Sequence, residues 1–198
     1  MFDLPKNKII YVSCSGGIDS SLLLFELTKF HKDRDIRPVV FNTDNLPLYR
    51  KREKVEKIIS LVSDLNNYKF KNVYYRNAIG NSPRQTDFIK FFEEEEIGFI
   101  ILGITKNPNV KFKNDEYKDN SRSEEGKYVC ENGEVLEPNE TPYANLHKRD
   151  IALKYYDYNL HNNLFPLTFS CTANTEIHCG DCWWCEERMW GFGRIIWH

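Results

Sequence analysis

The chain has 198 residues, 41% hydrophobic, 14% aromatic and 28% charged, with 27 Lys+Arg against 29 Asp+Glu. That length and apolar content suit one globular domain with its own core and exclude wholesale disorder. A formal net charge of -2 excludes a generally basic nucleic-acid binder, because phosphate neutralisation needs clustered Lys and Arg.

The first half alternates strand and helix patterns. Residues 8–13 (KIIYVS) are short, β-branched and aromatic, which predicts a buried strand. After Gly16-Gly17, residues 18–31 place Leu22, Leu23, Phe25, Leu27 and Phe30 on a helical period. Residues 38–42 (PVVFN) predict a second strand, and Val55, Ile58, Ile59, Val62 and Leu65 a second helix. Residues 73–76 predict a third strand, 83–96 a helix with Phe88, Phe91 and Phe92 inward, and 98–104 (GFIILGI) a near-continuous apolar strand. This rhythm predicts an α/β fold with a doubly wound, mostly parallel sheet. Residues 106–140 are polar and too long for an ordinary connection, so an insertion or lid is expected there. Helical patterns return at 146–160 and, after a cysteine cluster, at 183–196. The expected division is a nucleotide-binding α/β domain over 1–145, with the polar insertion around 105–140, and a helical, metal-binding segment over 146–198 packed on the same domain.

The start of the chain lacks a signal-peptide pattern, and no run approaches the about eighteen apolar residues of a membrane helix. A cytoplasmic location without membrane contact is the expectation. Six Cys in a reducing compartment then favour metal ligands, catalytic groups or core residues over disulfides.

Between the first strand and first helix lies Ser13-Cys14-Ser15-Gly16-Gly17-Ile18-Asp19-Ser20-Ser21. Paired glycines permit a sharp turn and close approach to a ligand, and the free N–H groups of the helix start favour an anion. Ser15, Ser20 and Ser21 add hydroxyl donors. The loop is a phosphate or pyrophosphate cradle on this reading. It has neither the Gly-Lys-Ser/Thr end of a Walker loop nor the spacing of the dinucleotide fingerprint. The bland alternative is a Gly-rich turn with Asp19 and Ser20 starting the helix. Ligands of open α/β sheets lie at the carboxyl ends of strands, which brings in Asn42, Asp44 and Gly103. A polar strand-end turn is the alternative for the first two.

Cys171-x7-Cys179-x2-Cys182-x2-Cys185 gathers four thiols in one segment, the ligand number and spacing of structural zinc. An iron–sulfur cluster and a Cys-x-x-Cys redox pair are the competing readings. His178 could replace one ligand, but reads better as a neighbour of a complete four-Cys site. Trp183, Trp184 and Trp190 read as packing of this knuckle on the core, with ring stacking on a purine as the alternative. Cys14 reads as buried, and Cys130 has no assigned role.

Ser-Gly-Gly-Ile-Asp-Ser resembles the SGGxDS loop of the PP-loop ATP pyrophosphatases. The resemblance implies that Asp19 helps hold Mg2+ on the phosphates of ATP, that Asp19 and Ser20 serve catalysis, and that the Ser15–Ser21 loop grips pyrophosphate, with Ser13 also at the nucleotide site. It also implies a place beside the nucleotide for Gly103. Combined with the cysteine spacing, the chain resembles the 7-cyano-7-deazaguanine synthases. Thr141-Pro142, Leu146, Lys148, Ile151, Leu167-Thr168-Phe169-Ser170-Cys171, His178-Cys179-Gly180-Asp181-Cys182, Arg188 and Phe192 carry this second likeness.

That resemblance implies the adenine nucleotide alpha hydrolase (PP-loop) fold with a C-terminal Zn2+ segment. It implies conversion of 7-carboxy-7-deazaguanine, ammonia and ATP to the nitrile, with AMP and pyrophosphate released. The partners would be a 7-deazapurine carboxylate and ammonia, with a homodimer as one option for assembly and no nucleic acid. Two segments depart from the family. Asn42-Thr43-Asp44-Asn45 stands where a Tyr-Gly-Gln-like segment is usual, and residues 105–123 lack the Tyr-Pro-Asp-Cys-Arg acceptor segment. Asp119 and Arg122 are the only candidate substitutes there. Adenylation of another carboxylate or a deazapurine conjugation partner, and tRNA thiolation, are the alternative functions. Thiolation would need a basic surface, and Lys51, Arg52 and Lys54 make only a small one.

Overall fold

The computed structural model describes residues 4–42, 52–77, 99–115, 118, 122, 140–172 and 177–193. In order these form β1 (Ile10–Ser13), α1 (Ile18–Phe30), β2 (Ile36–Asn42), α2 (Arg52–Asn66), β3 (Tyr74–Asn77), β4 (Phe99–Ile101), α3 (Lys148–Asp157), α4 (Leu164–Leu167) and α5 (Trp183–Phe192). The expected helix over 83–96, and Asp44, Asp119 and Cys130, lie outside the described residues.

The strands make one parallel sheet in the order β3-β2-β1-β4. Ile10 pairs with Ile36 on one side and Phe99 on the other, so β1 is interior. The chain runs outward from β1 to β3 and then returns to the other side of β1. The carboxyl ends of β1 and β4 therefore meet where the strand order reverses. Alternate residues of β1 serve opposite faces. Ile10 and Val12 join the main core with Leu22, Leu23 and Val62, while Tyr11 joins Val39 and Ile100 in a second cluster.

Leu22, Leu23, Leu24 and Leu27 are all fully buried, so α1 is covered nearly all round. α2 is amphipathic and buries Val55, Ile58, Ile59 and Val62. The Asn66 side-chain amide fastens α2 to α1 by donating to the Phe25 carbonyl and the Thr28 hydroxyl, both at 2.8 Å. The start of β2 is held by Tyr68, whose hydroxyl donates to the Arg34 carbonyl at 2.7 Å and accepts from the Ile36 N–H at 2.9 Å.

The C-terminal helices share the core of α1. Ile151, Tyr155, Leu164, Phe165 and Phe192 belong to the same cluster as Leu22, and Phe165 stacks on Phe192 at 4.1 Å. α3 lies against α5 at Gly191, where an added Cβ would stand 2.7 Å from Lys148 Cγ. Several boundaries differ from the sequence reading, and two of the shifts have a visible cause. The strand expected over 98–104 pairs only as β4, because the Leu102 N–H turns to the Glu140 carbonyl at 2.7 Å and leaves the ladder. The helix expected over 183–196 stops at Phe192, because Gly193 takes the left-handed conformation (φ 66°) and ends it. No helix among the described residues is long and apolar enough to cross a membrane.

Candidate functional site

The glycine loop leaves β1 with Cys14, whose N–H donates to the Val39 carbonyl at 2.8 Å. Gly16 has φ 78°, a region costly for other residues, and its carbonyl accepts from the Phe169 N–H at 3.0 Å. Gly17 is the N-cap of α1 and supplies no side-chain cap, so the first-turn N–H groups face outward from the loop without one. The hydroxyls knit the loop to itself. Ser15 Oγ accepts from the Gly17 N–H at 3.3 Å and lies 3.1 Å from Ser20 Oγ. Ser20 and Ser21 hydroxyls both donate to the Gly17 carbonyl, at 3.3 and 2.7 Å. Ser13 ends β1, and Ile18 is buried in the core, so only its backbone is available to a ligand. Asn42 ends β2, two strands' width from β4.

Gly103 lies just past β4. A Cβ there would fall 2.7 Å from the Asp19 carbonyl carbon and the Ser20 nitrogen. The sequence reading set this glycine beside a nucleotide; the structure sets it directly against the backbone of the loop helix, where its missing side chain lets the 102–108 segment close on Asp19.

Asp19 is the point where these segments meet in charge. Its Oδ2 accepts from the Lys148 ammonium. Its Oδ1 is buried with no hydrogen-bond partner. An orphaned carboxylate oxygen at a helix start suits a hard cation, which takes oxygen ligands, so the residues present fit magnesium. Lys148 also lies 3.4 Å from Thr105 Oγ1 and 3.5 Å from Glu187 Oε2. Glu187 in turn accepts from Arg122 Nη2 at 2.6 Å, and Arg122 donates to Asn107 Oδ1 at 2.9 and 3.1 Å. Burial alone would raise the Glu187 pKa, but the Arg122 and Lys148 cations outweigh it and hold the carboxyl below its ordinary value. Sequence reasoning missed Glu187 altogether, and it gave Lys148 no role beyond a family likeness.

A second buried carboxylate serves packing. Glu26 on α1 accepts from Tyr143 at 2.6 Å, Lys154 at 2.8 Å and Tyr158 at 2.9 Å, fixing α3 to α1. Burial, then Glu26, raises the Tyr143 pKa well above its usual value, so the phenol stays a donor. The Tyr155 hydroxyl donates to the Ile18 carbonyl at 2.9 Å, which anchors the loop helix on α3.

The cysteine cluster assembles as its spacing predicted. The Sγ atoms of Cys171, Cys179, Cys182 and Cys185 all lie within 4.8 Å of one another, with Cys179–Cys185 and Cys171–Cys182 both at 3.9 Å. A tetrahedral ion with Zn–S bonds of about 2.3 Å spaces its sulfurs about 3.8 Å apart. The set therefore fits one metal ion such as zinc, and is tighter than thiolates spread around a multi-iron cluster. Gly180 (φ 76°) makes the knuckle turn, and the N–H groups of Cys179 and Cys182 donate to Cys171 and Cys179 Sγ, each at 3.3 Å. The hydrogen bond between the Cys182 and Cys185 thiols lowers the Cys182 pKa and raises that of Cys185. His178 is buried, stacks on Phe169 at 4.3 Å and brings Nδ1 to 3.6 Å from Cys185 Sγ, a neighbour of the ligand set.

Cys182 is also the N-cap of α5, so the knuckle aims this helix and carries Glu187 to Lys148. Trp183 is fully buried, with Phe112 at 5.6 Å and the Arg122 guanidinium at 5.1 Å. Packing, rather than an open stacking face, is its role. Lys113 pairs with Asp181, so the start of the polar segment is docked on the knuckle.

No protein-family model matches the chain, and neither does any curated protein.

Proposed function

We propose that the protein is an ATP-dependent carbon–nitrogen ligase of the PP-loop kind, resembling 7-cyano-7-deazaguanine synthase. It would adenylate the carboxylate of 7-carboxy-7-deazaguanine, or of a close deazapurine analogue, let ammonia displace AMP to give the amide, and activate the amide oxygen with a second ATP so that its departure as AMP leaves the nitrile. The carrying observation is Asp19. It stands in a Ser-Gly-Gly-Ile-Asp-Ser loop at the carboxyl edge of a parallel sheet, with one carboxylate oxygen buried and unpartnered. The 3-2-1-4 strand order favours a doubly wound sheet with its ligand crevice at this edge.

Pyrophosphate departure needs positive potential where negative charge grows, not a protein nucleophile. The uncapped amides of the α1 start and the Lys148 ammonium supply that potential. Asp19 would hold magnesium, which neutralises phosphate charge when bound. Zn2+ would be held by Cys171, Cys179, Cys182 and Cys185; four thiolates leave no open position, so its contribution is structural. Cys14 gives no support to tRNA thiolation. It is buried, and burial pushes its pKa up to about 12, too high for a thiolate nucleophile at neutral pH.

The test is ATP–pyrophosphate exchange with Mg2+, ammonium and 7-carboxy-7-deazaguanine, followed by mass detection of the nitrile. Wild-type protein should exchange, and Asp19→Ala should abolish exchange while retaining its bound metal. Undiminished exchange in Asp19→Ala would sink the mechanism. Exchange that depends on a carboxylate but yields no nitrile would move the assignment to another acceptor.

A further inference from the structure

Four charges form one chain of contacts: Lys148, Glu187 and Arg122 are buried and Asp19 is partly so. Lys148 and Glu187 have side chains only 6% and 2% exposed. They sum to zero, which is how such a group survives burial. Its arrangement is lopsided. Lys148 touches Asp19 Oδ2, yet a second carboxylate oxygen, Glu187 Oε2, waits at 3.5 Å. Arg122 also reaches that oxygen, but only through a long hydrogen bond from Nη1. Its short contact, at 2.6 Å, goes to Glu187 Oε1, and its approach to Oε2 is 3.5 Å. A movement of about 0.7 Å would bring Lys148 from this distance into a charge-assisted hydrogen bond with Glu187.

Resting on the magnesium–nucleotide reading above, we propose that Glu187 is a positioning residue, the alternative counter-ion that receives the Lys148 ammonium when a divalent cation claims Asp19. A divalent ion taken up on Asp19 Oδ1 would stand close to the ammonium on Oδ2 and repel it. Without a second carboxylate the displaced ammonium would be left unpaired in a buried site, which is costly. With Glu187 in place the exchange is between two paired states, so the cation enters at little cost and Lys148 stays beside the anion it serves. Glu187 can do this because the metal knuckle fixes it: α5 begins at the ligand Cys182, and Gly191 lets the same helix lie directly on Lys148.

The probe is Mn2+ in place of Mg2+, titrated into metal-replete protein with a non-hydrolysable ATP analogue, free Mn2+ being read by electron paramagnetic resonance. Glu187→Gln keeps the shape and removes the charge, and should raise the apparent Kd for Mn2+ at least tenfold. The double variant Arg122→Gln/Glu187→Gln restores buried neutrality. It should melt near the wild-type temperature and still bind Mn2+ weakly; recovery of Mn2+ affinity would mean that Glu187 merely balances Arg122, and would overturn the proposal. In a Lys148→Met background Glu187→Gln should change little, since no ammonium needs a second home, and a persisting loss overturns it as well. Wild-type Mn2+ uptake with an unaffected Glu187→Gln refutes this proposal alone. A wild-type chain that takes up no Mn2+ refutes the nucleotide reading and this proposal with it.

Discussion

Gly103→Ala tests whether the 102–108 segment holds the loop helix in place. The added Cβ would lie 2.7 Å from the Asp19 carbonyl carbon and the Ser20 nitrogen, and 2.8 Å from the Asp19 carbonyl oxygen. All three are backbone atoms, so no side chain can swing aside. Ordinary contact begins near 3.4 Å, so helix and segment must part by about 0.7 Å. Overpacking of this kind costs about 2–3 kcal/mol, which for a chain of this size is about 5–10 °C in melting temperature. The displaced group is Asp19 itself, and displacements near an ångström at a reacting centre cost about 100-fold in rate. Melting followed by circular dichroism, together with ATP–pyrophosphate exchange, reads both effects. The metal content should not change, because the knuckle is not touched. A melting temperature within about 2 °C of wild type, with exchange intact, would refute the close-packing argument.

The metal centre and the amino edge of the sheet give two more tests. Purified protein should carry about one zinc per chain, and stripping it should lower the melting temperature by about 10 °C or more and weaken the near-ultraviolet signal of Trp183, since metal-binding energy is folding energy; iron with a visible absorption band, or an unchanged melt after stripping, contradicts this. Asp35 accepts from Arg37 at 2.9 and 3.1 Å and from Lys71 at 3.2 Å, and the Arg37 hydrogen bonds, ahead of Lys71, hold its pKa below the usual value. A carboxyl lowered in the folded state stabilises fully above its unfolded value and loses that contribution as pH falls through its folded one. Asp35→Asn should therefore cost about 1 kcal/mol at neutral pH, with the difference from wild type closing in acid; urea titrations at several pH values measure it, and a gap that widens in acid reverses the sign argument.

What was legible in the sequence was local. Residues 8–13 announced β1 by β-branched and aromatic content, and Val55, Ile58, Ile59 and Val62 announced α2 by period, because each pattern is fixed by neighbours within a few residues. The turn at Gly16-Gly17 and the knuckle at Cys179-Gly180 followed for the same reason: the backbone conformation belongs to the glycine, and two-residue spacers let neighbouring thiols meet. Element ends were less legible. β4 stops at Ile101 through a hydrogen bond to Glu140, a partner that no window of a few residues contains.

The sequence by itself thus determined a parallel α/β rhythm, a glycine turn at the start of a helix and a four-thiol cluster that could hold a metal ion. Only the tertiary structure decided what charge surrounds that turn. Asp19 meets Lys148 across 129 positions, and Arg122 meets Glu187 across 65. In the sequence nothing joins these four, and Glu187 looks like any charge on a solvated face. Burial makes them different, since ions removed from water must find each other, and which ions are removed depends on how α1, α3 and α5 pack together.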